Sequence, residues 1–173
     1  MKKVNIENSK EIEISKEYFN GEVNIKELLN ENNSEEYEMY HVYFNNGALT
    51  TIHLHESEQV LVGTGDNGIL CIFDKYDFRK NMFTVNFKTF INKGDVFTIP
   101  ANKLHFHGAL RNKNFSHIAF RNKFQINEEK IHLKKARNIW EIDLLKQICN
   151  NDMNDINDLK IKINKTIDDI ITK

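Results

Sequence analysis

Residues 47–63 read GALTTIHLHESEQVLVG. His53 and His55 lie two positions apart in a run typical of a β-strand, so both imidazoles are expected on one face. Gln59 falls on the same face if the strand continues, whereas Glu58 could reach that face only if Gln59 turned away. Strand alternation therefore favours Gln59 as the third polar group beside the two histidines and leaves Glu58 as the alternative.

A second histidine pair occurs in residues 94–109, which read GDVFTIPANKLHFHGA. His105 and His107 follow Pro100, the only proline, and again point to one face of a predicted strand. Two such pairs in one small protein favour a divalent metal site over imidazoles that only pack in a core, because neutral imidazole is a frequent metal ligand. The sequence therefore predicts that the two segments meet around one metal ion.

The surrounding residues 37–121 consist of short β-branched and aromatic runs separated by glycine- and asparagine-containing turns. Many short strands at close spacing indicate an antiparallel barrel or sandwich. Residues 63–68 read GTGDNG, a glycine pattern also found in dinucleotide-binding proteins, but a strand-like ILCIF follows instead of a helix. We therefore predict a hairpin turn there.

The sequence pattern changes after about residue 138, where apolar residues recur three or four positions apart among lysine, aspartate and asparagine. This spacing predicts one or two amphipathic helices, with a break within residues 151–155 and with Trp140 anchoring them to the barrel. The helices would either pack on the barrel or extend a contact with a second subunit. We expect an N-terminal arm over 1–17, a barrel over 18–130 and a helical extension over 131–173.

Composition excludes several other classes of protein. The 173 residues carry 24 Lys plus Arg and 25 Asp plus Glu, without the basic stripe that a nucleic-acid-binding face needs. No segment resembles a signal peptide or reaches the apolar length of a membrane span. Cys71 and Cys149 stand alone in apolar runs, so we expect reduced core cysteines. These features predict a cytoplasmic protein with no nucleic-acid or membrane partner.

The two histidine segments resemble the two motifs of the cupin family. Gly47, the His-x-His pair, Gln59 and Gly63 match the first motif, and residues 94–105 match the second except that Asn102 replaces its central glycine. The resemblance implies an all-β fold, a double-stranded β-helix or jelly roll, with the N-terminal arm and C-terminal α-helical extension added to it. Residues 18–123 are similar in particular to small bacterial cupins, including carboxymuconolactone decarboxylase-like cupins and manganese-dependent hydroxynitrile lyases.

This resemblance also implies roles for individual residues. His53, His55, Gln59 and His105 would be the metal ligands, and His107 would be a catalytic general base next to the metal. The metal would be one divalent ion, manganese, iron, nickel or zinc, because ligand type alone does not choose among them. Three imidazoles and a neutral amide would leave the full charge on the ion, which favours Lewis-acid chemistry.

Two functions of different classes follow from these expectations. The first is a metal-dependent enzyme of lyase, decarboxylase or oxygenase type that acts on a small oxygenated molecule, in a chain expected to form a homodimer. The second is a metal-containing module that binds or senses a small ligand without turnover. Fold alone does not separate the two, because function depends on the site.

Overall fold

The computed structural model describes residues 3–126 and 132–172, which form two large curled antiparallel β-sheets, a two-stranded sheet of β12 and β13, and two C-terminal helices. A short 3-10 helix at Lys16–Tyr18 precedes the strands. The strands are β1 (Phe19–Asn20), β2 (Val23–Leu29), β3 (Tyr37–Phe44), β4 (Leu49–Thr50), β5 (His53–His55), β6 (Gln59–Gly63), β7 (Gly68–Asp77), β8 (Met82–Ile91), β9 (Val96–Ile99), β10 (His105–Ala109), β11 (Phe115–Asn122), β12 (Phe124–Ile126), β13 (His132–Lys135) and β14 (Asn138–Trp140). The helices are α1 (Glu141–Ile148) and α2 (Met153–Thr172).

The two large sheets are built from strands that are distant in sequence. One follows the order β1-β4-β10-β5-β14, with β7 and β8 joined to it through β10, and the other follows β2-β3-β11-β6-β9. Inward positions on both sheets are occupied by buried apolar side chains, among them Phe44, Leu61 and Leu70. The predicted all-β jelly roll with a C-terminal helical extension is confirmed.

The second motif turns at Asn102, the residue that replaces the family's glycine. Asn102 has φ of 62°, in the left-handed region that asparagine enters more readily than most residues. Its backbone N–H donates to the carbonyl of His55 over 2.7 Å. The asparagine therefore preserves the turn that brings the two histidine segments together.

Between the two motifs, β7 and β8 form a long hairpin that turns at residues 78–81. Asn81 at this turn donates through Nδ2 to Thr166 Oγ1 of α2 over 2.8 Å, and Lys88 donates to the carbonyl of Ile170 over 3.1 Å. The hairpin thus packs against the C-terminal helix.

The two C-terminal helices pack on the same side of the barrel. Ile156, Ile163 and Ile167 of α2 are buried in one apolar cluster with Phe73 and Phe106 of the sheet. Between the helices, Asn150 and Asn151 have positive φ values of 50° and 65°, which ends α1. Asp152 then accepts the N–H groups of Asn154 and Asp155 at the start of α2.

The ends of the chain also contact the barrel. Glu11 forms an isolated bridge with Lys26 of β2, and β14 pairs with β5 along its full length. The boundaries 1–17, 18–130 and 131–173 stay predictions. Among the described residues, neither helix combines the length and apolar character needed to cross a membrane.

Candidate metal centre

The four motif histidines converge because β5 and β10 are neighbours in one sheet. His105 lies directly opposite His53 in this antiparallel pair. His55 and His107 lie two residues further along their own strands, so all four imidazoles project from the same face into the barrel. Each of the four side chains is buried, with at most 6% of its surface exposed.

The distances within this group suit a single small ion. Ligand nitrogens of His53, His105 and His107 all lie within 4.8 Å of one another. The ring of His55 lies 4.9 Å from that of His53, centroid to centroid. Gln59 on β6 comes from the opposite sheet, and its Oε1 lies 3.2 Å from His105 Nε2.

Hydrogen bonds determine which ring nitrogens carry protons. His53 Nδ1 lies 2.9 Å from the carbonyl oxygen of Thr51, and His105 Nδ1 lies 2.8 Å from that of Lys103. A carbonyl oxygen only accepts, so in each neutral ring Nδ1 donates and Nε2 keeps its lone pair. Backbone carbonyls that orient imidazoles in this way are common around metal ligands.

His55 is oriented by a side chain rather than by the backbone. Its Nδ1 lies 2.5 Å from Asn138 Oδ1 on β14, while its buried Nε2 has no hydrogen-bond partner among the described residues. Because the Nδ1 proton is donated to Asn138, the lone pair on Nε2 faces the group. A residue that follows the second motif in the sequence therefore orients a histidine of the first motif.

These lone pairs make the group fit a cation. His105 Nε2 and Gln59 Oε1 are both acceptors when His105 donates through Nδ1, and His55 Nε2 adds another acceptor. Acceptors that face one another in a buried site repel unless a proton or a metal ion lies between them. Imidazole nitrogen and amide oxygen together are suitable ligands for a divalent ion.

Burial keeps these imidazoles in the neutral form that binds metal. It lowers the pKa of His105 to about 4, and it lowers the pKa of His53 and His55 well below 6.5 with help from neighbouring histidines. Arg121 contributes a further lowering at His55. A neutral ring offers its lone pair without first releasing a proton.

His107 differs from the other three histidines in its hydrogen-bond partner. Its Nδ1 lies 3.1 Å from Nε2 of His117, a buried histidine on β11. An imidazole nitrogen can donate or accept, so this contact allows either tautomer of His107. His107 Nε2 has no partner among the described residues, and it can therefore hold a lone pair or a proton.

A cavity of about 160 Å³ opens beside this group. Its walls include apolar side chains from both sheets, the ring of Trp140, and a largely buried ion pair between Arg121 and Glu38. Trp140 stacks on His53 with ring centroids 4.4 Å apart and on Tyr18 at the same distance. None of the described residues of β7 and β8 lines this cavity.

Every residue that the sequence singled out has a definite place. His53, His55, Gln59, His105 and His107 all lie in the buried group, and Glu58 is exposed outside it. Sequence reasoning missed Asn138, Glu38 and Arg121. Alternation along β11 could have indicated that Arg121 points inward, because Arg121 falls on the same face as Phe115, His117 and Ala119.

We expect Asn138→Leu to weaken metal binding about 10- to 100-fold, because loss of the acceptor frees the ring of His55 and its tautomer. Asn138→Asp keeps an oxygen at this position and should bind metal at least as tightly as the wild type. Competition with a chelator of known affinity measures both variants. Equal affinity of Asn138→Leu and wild type would show that this hydrogen bond does not orient a ligand.

Comparison with known proteins agrees with this geometry. A model of the family described as Cupin matches residues 7–140. A cupin-like protein from Thermotoga maritima is 28% identical, with a TM-score of 0.53 over 76% of this chain and 89% of its own. No protein of curated function matches the chain.

Two more distant structures share the fold. A predicted oxalate decarboxylase from Thermotoga maritima is 16% identical, with a TM-score of 0.55 over 70% of this chain and 98% of its own. The polyketide cyclase RemF from Streptomyces resistomycificus is 12% identical, with a TM-score of 0.56 over 87% of this chain and 96% of its own. At such identities the likeness extends to the fold alone.

Proposed function

The chain belongs to the cupin family, and from this premise we propose that it is a metal-dependent enzyme acting on a small oxygenated molecule. The observation that carries the proposal is the set of buried nitrogen and oxygen acceptors that face one another beside a cavity. A core that needed these histidines only for packing would pair their polar atoms with donors. The proposed reaction is of the lyase, decarboxylase or oxygenase type.

We assign the metal ligands to His53, His55, Gln59 and His105. His53, His55 and His105 each use Nδ1 in a hydrogen bond, which leaves Nε2 of each ring as a free acceptor. Gln59 adds its amide oxygen Oε1 as a fourth acceptor. A divalent ion held by neutral ligands supplies Lewis-acid polarisation of a hydroxyl or carbonyl oxygen. Manganese, iron, nickel and zinc all suit such ligands.

We assign proton transfer to His107. His107 lines the cavity, its Nε2 has no hydrogen-bond partner among the described residues, and its Nδ1 contacts His117, which allows the ring to change tautomer. His107 would accept a proton from the bound molecule at Nε2 while Nδ1 remains hydrogen-bonded to His117. Burial lowers the pKa of His107 well below 6.5, which keeps Nε2 free to accept.

The relatives are consistent with an enzyme but do not specify one. The structures that share the fold include a protein named as a predicted oxalate decarboxylase and a polyketide cyclase. Cupin-like sheets thus surround active sites for different reactions, and the chemistry has to be argued from the side chains in each site.

Metal content of four histidine variants tests the assignment. We expect His53→Ala and His105→Ala to lose the metal, because both residues are assigned as ligands. His107→Gln should retain the metal, because His107 is not assigned as a ligand and Gln fills a similar volume. His41→Ala is the matched control, because His41 contacts Thr64 outside the group. Elemental analysis of the purified chains, beside the wild type, measures each outcome.

Two results would contradict this proposal. Absence of metal in the wild type after reconstitution would exclude the metal-dependent mechanism. Loss of metal from His107→Gln to the same extent as from His53→Ala would make His107 a ligand instead of the proton acceptor. With metal retained, a loss of turnover of about 100-fold or more in His107→Gln is the expected effect of removing a general base.

A further inference from the structure

Arg121 occupies an inward position at the end of β11 that lies beside the candidate metal ligands. It is directly opposite Gln59 in the β6–β11 pair and opposite Glu38 in the β3–β11 pair. Directly opposed residues have Cβ atoms about 5 Å apart. Arg121 is 8% exposed, and it lines the cavity together with Glu38 and Gln59.

The hydrogen bonds of this guanidinium are incomplete. Its Nε donates to Glu38 Oε1 in a largely buried ion pair. Its Nη1 is buried and has no hydrogen-bond partner among the described residues. A guanidinium carries five N–H donors, so one contact with Glu38 neutralises the charge without satisfying the group. A buried charged donor without a partner is unfavourable, and such groups call for an explanation.

The other walls of the cavity indicate what could supply the missing acceptor. Apolar side chains such as Val42 and Phe44 form much of the surface, and Tyr40 lies beside the ion pair. Burial and the nearby Glu38 raise the pKa of Tyr40 to about 12, so its phenol keeps a proton to donate. A fork of guanidinium donors next to a phenol matches the two oxygens of a carboxylate.

We propose that Arg121 binds the carboxylate of a small organic acid whose remaining atoms extend along the cavity toward the four histidines. This inference rests on the proposed function, which makes the cavity an active site, and it adds the class of substrate. The cavity of about 160 Å³ is smaller than the several hundred Å³ typical of sites for drug-sized ligands, which restricts the acid to a few carbon atoms.

An alternative is that Arg121 serves only to neutralise Glu38. That role requires the Nε contact and nothing from Nη1, so it predicts no preference between a carboxylate and its neutral amide. It also predicts that the cavity tolerates lysine at position 121, since an ammonium would neutralise Glu38 equally well. The two explanations therefore differ in what the cavity binds.

Fluorescence of Trp140 gives a direct measurement, because Trp140 is the only tryptophan and lines the cavity. The full chain, as purified, is titrated with propionate and with propionamide, which have the same shape and differ in charge. We expect saturable quenching by propionate, and binding of propionamide weaker by about tenfold or more, as loss of a charge-assisted hydrogen bond implies.

Three variants identify the group responsible. Arg121→Lys should weaken propionate binding about tenfold or more, because the ammonium cannot replace the planar fork. Glu38→Gln removes the internal competitor for Arg121 and should bind propionate at least as tightly as the wild type. Arg137→Lys is the matched control, because Arg137 pairs with Glu56 outside the cavity and should leave binding unchanged.

Equal binding of propionate and propionamide, no saturable change with either, or wild-type affinity in Arg121→Lys would each overturn the inference. The discrimination between the two probes needs only the wild type, so the test does not depend on a variant that folds. Repeating the titration after chelation of the metal, with metal content measured on the same samples, separates the two proposals. Carboxylate binding that persists after chelation would assign the binding to Arg121 rather than to the metal, whereas a wild type that contains no metal even after reconstitution would contradict the proposed function alone.

Discussion

Gly63→Ala is expected to lower the free energy of unfolding by about 3 kcal/mol, the upper end of the cost of overpacking. A Cβ atom at this position would lie closer than 3.0 Å to the backbone oxygen of Asn92. That oxygen cannot rotate away as a side chain could. Gly63 is also held on both sides, because its N–H donates to Asp95 and its carbonyl accepts from Gly94, both over 2.9 Å.

Gly65→Ala is the matched control for this substitution. It lies two residues away, and a Cβ there would be 3.0 Å from the Ser116 hydroxyl and 3.2 Å from the Ser116 backbone nitrogen, a looser approach than the one at Gly63. We expect a loss of about 1 kcal/mol, the lower end of the cost of overpacking, because the neighbouring atoms need to shift by only a few tenths of an ångström. Urea denaturation followed by circular dichroism measures both. Equal midpoints for Gly63→Ala and Gly65→Ala would mean that the strand end at Gly63 moves freely, which the hydrogen bonds argue against.

Glu141→Gln is expected to stabilise the protein by about 3 kcal/mol above pH 7 and to have little effect below pH 4.5. Glu141 begins α1 and is 1% exposed, and its Oε1 has no hydrogen-bond partner among the described residues. Burial raises the pKa of this carboxyl from 4.5 to about 7, despite the opposing effects of a backbone hydrogen bond with Ile52 and of the charge on Lys160. A neutral amide avoids the cost of burying the carboxylate charge.

The pH dependence follows from proton binding in the two states. Between pH 4.5 and pH 7 the unfolded chain releases the Glu141 proton and the folded chain keeps it, so stability falls as pH rises. Above pH 7 both states are ionised and the penalty no longer grows. Below pH 4.5 both states are protonated, and the full stability is present.

Urea midpoints of the wild type and of Glu141→Gln, measured at pH 4.5 and one unit above pH 7, test this expectation. The exposed Glu22 provides the control, because Glu22→Gln should follow the wild type at both values. If Glu141→Gln also followed the wild type at both values, the carboxylate would have to be solvated or paired in the folded state, contrary to its burial.

Local patterns predicted short strands within residues 37–121, the two C-terminal helices and the histidine pairs of the candidate metal centre, but not the strands β13 and β14. The alternation in HLH and HFH predicts that each pair shares one face, and that is how β5 and β10 present them. The break between the two helices falls at Asn150 and Asn151, within one residue of the predicted segment, because asparagine tolerates positive φ. The roles assigned to individual histidines stay predictions.

Partners far apart in sequence were beyond these patterns. Asn138 reaches His55 across 83 positions, and Glu38 reaches Arg121 across the same separation. The residues next to Asn138 or Arg121 in the sequence do not indicate which strand either side chain will contact. Strand order determines these contacts, and strand order is a property of the assembled sheets.

The sequence by itself determined the motifs, the strand faces and the helical tail of this protein, because side-chain period and turn chemistry act over a few residues. The tertiary structure alone decided which nitrogen of each histidine keeps a lone pair, and that Arg121 has a donor left over in the cavity. Tautomers and unsatisfied donors depend on what lies within about 3 Å in space, and chain folding brings those atoms together from residues that local patterns leave unrelated.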